Sequence, residues 1–325
     1  MALNPRLRAR LERESDQDRR LTREQKDELA ALLPEGAVLL DESTALHGVV
    51  RSGGPAEAFV TAGDLDELRR VLEWADTHSV EYRFWGEGAF TLVRDGGLSG
   101  IIIKLGDSFR EIAVERASDD DVFLSVGAAA KPREILNFAE AEGLAGAERL
   151  AGAQGTVAGL LCAVSIPRDF ILEGMVEELT MVTRDMRELT IRGSGLRFEE
   201  GRLKIPRTAA VTKLILKLKK STKEEVSRAI EEGLKSAASS DEQPHYSFAF
   251  ESPCKTRAAD LIDDAGLLGV RVGGARISTI KGDSIVNENE AKARDVAILI
   301  SLVRDRVKQD TGVVLTSTID VVGER

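Results

Sequence analysis

Aromatic side chains are scarce, with Phe, Trp and Tyr together making up 4% of 325 residues. That leaves little for a base-stacking surface and argues against single-stranded nucleic-acid binding. Positive charge is also short. Lys and Arg number 45 against 55 Asp and Glu, a formal net charge of −10. A surface of that sign repels phosphate backbones and anionic lipids, so neither nucleic acid nor a membrane surface is expected as a partner. No apolar run approaches the roughly 20 residues of a bilayer span, so membrane insertion is not expected either. The segment Met1–Arg20 is heavily charged and lacks the apolar stretch of a secretory leader, which points to a cytoplasmic protein. The two cysteines, Cys162 and Cys254, are far apart and lack metal-ligand spacing. They read as reduced thiols rather than a disulfide or a zinc site. His47, His78 and His245 are scattered, with no pairing at helical or hairpin spacing, so no metal centre is expected.

What remains is ordinary globular material: 42% apolar and 31% charged residues, in a chain long enough for two or three domains. Residues 1–36 read as a polar helical extension ended by Pro34 and Gly36. From 37 the chain alternates strand and helix. Asp64 reads as the N-cap of a helix to about Thr77, with Glu67 at the capping-box position and Leu65, Leu68, Val71, Leu72 and Ala75 along one face. Ile101 to Leu105 has the continuous apolar character of a buried strand. Residues 109–127 read as a strand pair around Asp119–Asp121, and Pro132 and Gly143 bracket a helix. Three further strands fall near 176–182, 188–192 and 211–218. Composition shifts near Ser221, where Thr222 to Glu225 opens a helix reaching about Ala237, followed by a linker at 239–244. Towards the end a long helix spans about 290–309, stopped by Gly312, and Thr316–Val322 alternates as a terminal strand. These breaks divide the chain into 1–36, 37–220 (in two parts, 37–108 and 109–220) and 221–325.

Three glycine-rich stretches punctuate this pattern. The first is Gly53-Gly54-Pro55-Ala56. The second runs from Gly143-Leu144-Ala145-Gly146-Ala147-Glu148 to Gly152-Ala153-Gln154-Gly155-Thr156-Val157-Ala158-Gly159. The third comprises Ala265-Gly266-Leu267-Leu268-Gly269, Gly273-Gly274-Ala275-Arg276-Ile277-Ser278 and Ile285-Val286-Asn287. In this order and spacing, over residues 45–324, they resemble the UDP-N-acetylenolpyruvoylglucosamine reductase family, of the wider vanillyl-alcohol-oxidase or PCMH-type FAD-binding fold. The resemblance implies an α+β protein: a two-part FAD-binding domain at 37–220, then a smaller α/β substrate-binding domain at 221–325. It implies FAD as cofactor, NADPH as reductant and a UDP-sugar-like small molecule as partner; it names no protein partner. Gly86, Gly88, Gly152, Gly155 and Gly159 become the candidate flavin contacts, since glycine lets backbone amides approach a pyrophosphate closely, with Thr156 as a side-chain donor.

The columns that carry chemistry in that family are altered here. Its phosphate turn resembles G-x-G-S-N, whereas this chain has Gly86-Glu87-Gly88-Ala89-Phe90. Ala89 and Phe90 cannot donate. Glu87 brings a negative charge beside the expected pyrophosphate, and like charges within several ångströms cost on the order of a few kcal/mol. Weak flavin retention is the resulting expectation. The stretch matching the family's N-A-G-A-Y-G is Val164-Ser165-Ile166-Pro167-Arg168-Asp169. The resemblance also implies that reduced flavin passes hydride to an enolpyruvyl double bond, a serine protonates the neighbouring carbon, and a glutamate and an arginine stabilise the enolate. The serine column holds Phe248 with Ser247 beside it, and the glutamate column holds Thr318 with Asp320 two residues on. No Tyr-Arg pair occurs at 203–206, where Lys204 is the nearest cation. Ser247, Asp320 and Lys204 are therefore the candidate catalytic residues. General acid–base groups contribute about 10² to 10⁴-fold each, so these losses predict a divergent homologue with lost or altered catalysis. Such a chain would keep a binding or regulatory role linked to peptidoglycan precursor synthesis. The alternatives are an active NADPH- and FAD-dependent reductase with a rearranged site, and an FAD-binding oxidoreductase with another substrate.

Overall fold

The computed structural model describes residues 20–163, 172–199, 202–237, 246–253 and 256–324. The columns 164–169, the linker 239–244, His245 and Cys254 lie outside them, as does the N-terminal extension before Arg20. Its described part is helix α1 (Arg23–Leu32), opened by Thr22, whose hydroxyl accepts from the Gln25 amide at 3.2 Å.

The first unit is a four-stranded sheet with order β1-β2-β5-β3, from β1 (Val38–Ser43), β2 (Pro55–Ala62), β3 (Tyr82–Phe84) and β5 (Leu98–Leu105); the short β4 (Thr91–Val93) lies apart from it. β2 and β3 both run parallel to the central β5, and β1 closes the other edge antiparallel to β2. Helix α2 (Leu65–Thr77) makes the crossover, and its apolar stripe is buried as expected. Asp64 caps it by accepting from the Glu67 amide at 2.8 Å. Glu67 does not close the box on Asp64; its carboxylate reaches one residue further back, to the Gly63 amide at 2.7 Å. Strand β1 was not foreseen, because half of its residues are exposed, the rest are only half-buried, and they give no apolar alternation.

The second unit is a six-stranded antiparallel sheet. Its members are β6 (Ile112–Ala117), β7 (Asp121–Gly127), β8 (Leu144–Ala145), β9 (Val176–Val182), β10 (Glu188–Arg192) and β13 (Ala210–Lys220), in the order β10-β9-β13-β7-β6 with β8 beside β13. A hairpin of β11 (Phe198–Glu199) and β12 (Arg202–Leu203) precedes β13. Helices α3 (Pro132–Glu142), α4 (Val157–Cys162) and α5 (Lys223–Ala237) complete this unit. Gly143 ends α3 in the left-handed region at φ +66°, as its sequence position suggested.

The remaining chain supplies β14 (Tyr246–Phe248), β15 (Phe250–Glu251), α6 (Ala258–Asp264), β16 (Arg271–Val272), β17 (Ala275–Ile277), β18 (Ser284–Asn287) and α7 (Ala293–Thr311). A four-stranded sheet, β14-β18-β17-β16, packs on α7 through Val296, Leu299, Ile300, Val303 and Val307. The terminal segment is not one strand. β19 (Thr316–Ser317) pairs with β15, and β20 (Asp320–Val322) crosses over to run parallel to β4 in the first unit. Val322 there joins a core cluster with Phe59, Trp85 and Ile102. Two further contacts tie the C-terminal unit down. Asp95 accepts from the Ala293 and Arg294 amides at the start of α7, both at 3.0 Å. The buried Asn287 amide donates to the Val50 and Arg51 carbonyls. No described helix is long and apolar enough to cross a membrane.

On the outer face of the second sheet, Glu178 accepts from Arg192 at 2.8 Å and from Arg116 at 3.1 Å, the latter lying over the Phe123 ring. The Arg192 bond, then Arg116, hold the Glu178 pKa below the usual carboxylate range against an opposing burial effect. A carboxylate with a lowered folded pKa adds stability above its unfolded value near 4.3, and that stability is lost as pH falls through the folded value. Glu178→Gln should therefore lower the melting temperature at pH 7. The gap from the parent should close as thermal scans are taken down to pH 3; a gap that persists there would show that the pair carries none of the effect.

Candidate functional site

A cavity of about 1480 Å³ opens between the first and second sheets, well above the ~300–1,000 Å³ of common ligand pockets. One wall is β3, β5 and the turn 86–90. The other is formed by residues 128–131, the start of α4 and the stretch 205–209, and β20 contributes to the rim. The volume exists because glycines hold two turns at backbone contact. A β-carbon on Gly86 would sit 2.9 Å from the Thr156 hydroxyl and 3.0 Å from the Gly159 α-carbon. The turn after β3 is pinned from outside as well. Trp85 donates its indole N–H to the His47 carbonyl at 2.9 Å, and the Glu87 carbonyl accepts from the Val49 amide at 3.1 Å. Glu87 and Gly88 both lie in the left-handed region, at φ +61° and +60°. Among the described residues, no backbone carbonyl accepts from the amides of Gly86, Glu87 or Gly88. A turn lining a cavity with amides free of backbone partners suits an anion.

Four of the six candidate flavin contacts line this cavity: Gly86, Gly88, Thr156 and Gly159. Gly152 and Gly155 do not. Gly155 instead stands behind the turn, where a β-carbon would meet the Gly86 carbonyl at 2.8 Å. The Thr156 hydroxyl is engaged as the N-cap of α4, accepting from the Gly159 amide at 3.1 Å.

The charge of Glu87 is answered within the cavity. Its carboxylate lies 3.0 Å from the Lys131 ammonium and 3.7 Å from that of Lys104. Lys131 is fixed at the start of α3, where Glu134 accepts its amide at 2.8 Å and also pairs with Arg110. Burial alone would raise the Glu134 pKa, but the Arg110 bond and the Lys131 amide outweigh it and bring it below the usual value. Across the whole lining, seven Arg and Lys side chains face five carboxylates, on a chain whose net charge is −10. The lining thus carries a cationic surplus, and Glu87 stands paired with two ammonium groups rather than alone.

Asp320 lies on the rim, with Oδ2 3.8 Å from an Nη1 of Arg83 and 3.8 Å from an Nη1 of Arg207. Its amide donates to the Phe90 carbonyl at 2.9 Å. Tyr82 is nearby, its hydroxyl donating to the Thr208 carbonyl at 2.8 Å; burial raises its pKa. Lys204 is elsewhere: its ammonium pairs with Glu199 on the β11–β12 hairpin, and it does not line the cavity. Thr318 is fully buried, its amide bonded to the Ala249 carbonyl at 3.0 Å. Ser247 and Phe248 lie in β14, opposite Ile285 and Ser284, with no register shift in that ladder. Sequence reasoning missed Arg207, one residue beyond the stretch searched for an arginine. It also missed Arg83, Lys104 and Lys131, which no local motif marks.

Comparison with known proteins agrees with this geometry. A model of the FAD binding domain matches residues 56–203, and a model of the UDP-N-acetylenolpyruvoylglucosamine reductase C-terminal domain matches residues 239–322. The UDP-N-acetylenolpyruvoylglucosamine reductase of Geobacter metallireducens is 32% identical over 305 residues, covering 92% of this chain and 99% of the relative. That of Geobacter sulfurreducens is 33% identical over 310 residues, again covering 92% and 99%. The crystal structure of the UDP-N-acetylenolpyruvylglucosamine reductase from Thermus caldophilus superposes with a TM-score of 0.72 at 28% identity, covering 87% of this chain and 97% of that one.

The contact between the turns gives a direct test. Gly86→Ala should destabilise the protein by about 1–3 kcal/mol, the usual range for overpacking, as read from urea unfolding. An unchanged midpoint and slope would mean that the turns are not held at backbone contact.

Proposed function

Because the chain belongs to the UDP-N-acetylenolpyruvoylglucosamine reductase family, we propose that it is an NADPH- and FAD-dependent reductase of a UDP-sugar substrate, working through a rearranged site. The observation that carries this reading is the cationic cavity between the two sheets, with the free amides of the turn at Gly86–Gly88 and the Asp320–Arg83–Arg207 cluster on its wall. The residues present fit FAD: glycines leave room for a pyrophosphate beside the turn, and the Glu87 charge is outweighed by Lys131 and Lys104. FAD, when bound, supplies the hydride chemistry.

The protein's own part is to bind, orient and supply charge. Asp320 takes the place of the family glutamate, and Arg207 that of the family arginine. Arg83 and Arg207 face the negative charge of the substrate and its enolate, where preorganised cations act with little reorganisation. Ser247, in β14, is the proposed proton donor, and Lys204 is assigned no contact with substrate, since Glu199 holds it outside the cavity. A second reading is favoured by one observation. Thr318 occupies the glutamate column fully buried and Phe248 occupies the serine column, which suits a protein that binds a UDP-sugar without reducing it.

Reconstitution decides between the two readings. Protein incubated with FAD and desalted should keep flavin absorbance in the visible region and oxidise NADPH when UDP-N-acetylglucosamine enolpyruvate is added. Asp320→Asn and Ser247→Ala should each lower kcat by about 10² to 10⁴-fold. A flavin-loaded protein that leaves NADPH untouched with this substrate would establish the binding reading instead, and a colourless protein would remove both the cofactor and the reductase.

A further inference from the structure

The phosphate turn of this chain lacks hydroxyl and amide side chains where they would help most, at Ala89 and Phe90. Two ammonium groups stand beside it instead. Lys131 reaches from the start of α3 and Lys104 from β5, so the two units each contribute one, and both line the cavity. They converge on a single carboxylate, Glu87, at 3.0 and 3.7 Å. Two positive charges against one negative leave the cluster with a surplus. Glu87 belongs to the same turn whose amides at 86–88 donate to no described backbone carbonyl. The carboxylate therefore occupies, from within the chain, the position where an external anion would meet both lysines.

We infer that Lys131 and Lys104 form the diphosphate-binding pair of this cavity, and that Glu87 is a resident carboxylate which a nucleoside diphosphate displaces. The inference rests on the reading that the cavity takes a dinucleotide, and it adds which side chains hold the phosphates. A diphosphate diester carries two charges and several acceptor oxygens; Glu87 carries one charge. The exchange replaces one anion by a stronger one at the two lysines, while the freed carboxylate turns to solvent. Affinity for phosphate is thus set by competition inside the protein. Ammonium–phosphate bonds are charge-assisted and stronger than neutral ones, so either partner of the competition should be visible in binding.

The test uses full-length protein and three probes. ADP binding is measured by calorimetry, and FAD and riboflavin binding by flavin fluorescence. Glu87→Gln should tighten ADP and FAD about tenfold, and Lys131→Gln should weaken both about tenfold, with Lys104→Gln smaller in effect because of its longer distance; a charge-assisted bond is worth about this much. Riboflavin, which has no phosphate, should change less than about twofold in every variant. If ADP affinity ignores both Glu87→Gln and Lys131→Gln, or if riboflavin shifts as far as ADP, the inference is overturned. Failure of the parent protein to bind ADP overturns it as well. A parent that binds ADP with the predicted variant pattern, yet binds neither FAD nor riboflavin, would support the lysine pair while sinking the flavin reading.

Discussion

The two glycine turns, Gly86 against Thr156 and Gly159, set the distance between the sheets, and everything in the cavity depends on that distance. The first sheet is made rigid by the parallel pairing of β2 and β3 with β5, the second by the long antiparallel β13. Neither sheet on its own encloses a space. Where they meet, backbone stands against backbone, because side chains are missing on both sides. Close approach of the turns then brings Lys131, carried by the second unit, onto Glu87, carried by the first. A wider gap would leave each charge to water, where a single exposed ion pair contributes little. The steric constraint therefore governs the electrostatics of the cavity.

The C-terminal strand adds the third wall. β20 leaves its own unit to pair with β4, immediately after the turn at 86–90, and the Asp320 amide bonds the Phe90 carbonyl. Asp95 answers in the other direction by capping α7. A capping carboxylate at a helix start is worth about 1 kcal/mol and also meets the positive end of the helix dipole. The Asn287 bonds to Val50 and Arg51 fix the same pair of units at a buried point. Three separate ties thus position the rim carboxylate, and a charged group at such a rim is held by the fold rather than by its own rotamer.

Much of this was legible in the sequence, and the reasons for the rest are physical. The buried stripe of α2, the Asp64 cap and the Gly143 stop follow from local rules and were found where the residues said. Strand β1 was missed because an edge strand with no buried residue leaves no alternation to read. Of the five candidate glycines, Gly86, Gly88 and Gly159 line the cavity, and Gly155 differs because its closeness serves the neighbouring turn instead. Lys204 was nominated by nearness in sequence, yet the β11–β12 hairpin gives it Glu199. Lys104, Lys131 and Arg83 carry no local signature at all. Their role is created by tertiary convergence, which a linear pattern does not encode. For the same reason Glu87 looked repulsive in isolation: the sequence displays its charge and hides the two ammonium groups that outweigh it.

Thr318 and Asp320, two residues apart, are sent to different surroundings by the packing. Period-two logic would put them on the same side of a continuous strand. The strand is broken between Ser317 and Asp320, as β19 pairs within its own unit and β20 crosses to another. Thr318 accordingly goes into the core with no exposed surface, while Asp320 turns to the cavity. An ionised glutamate at position 318 would be stripped of water in this packing, at a cost that burial of an unpaired charge makes prohibitive. A neutral residue at 318 and a carboxylate at 320 therefore both suit this packing. Asp320 in turn lies at the same 3.8 Å from Arg83 and from Arg207. Two cations against the one Asp320 carboxylate leave the rim with a positive surplus, and the proposed reductase rests on that surplus.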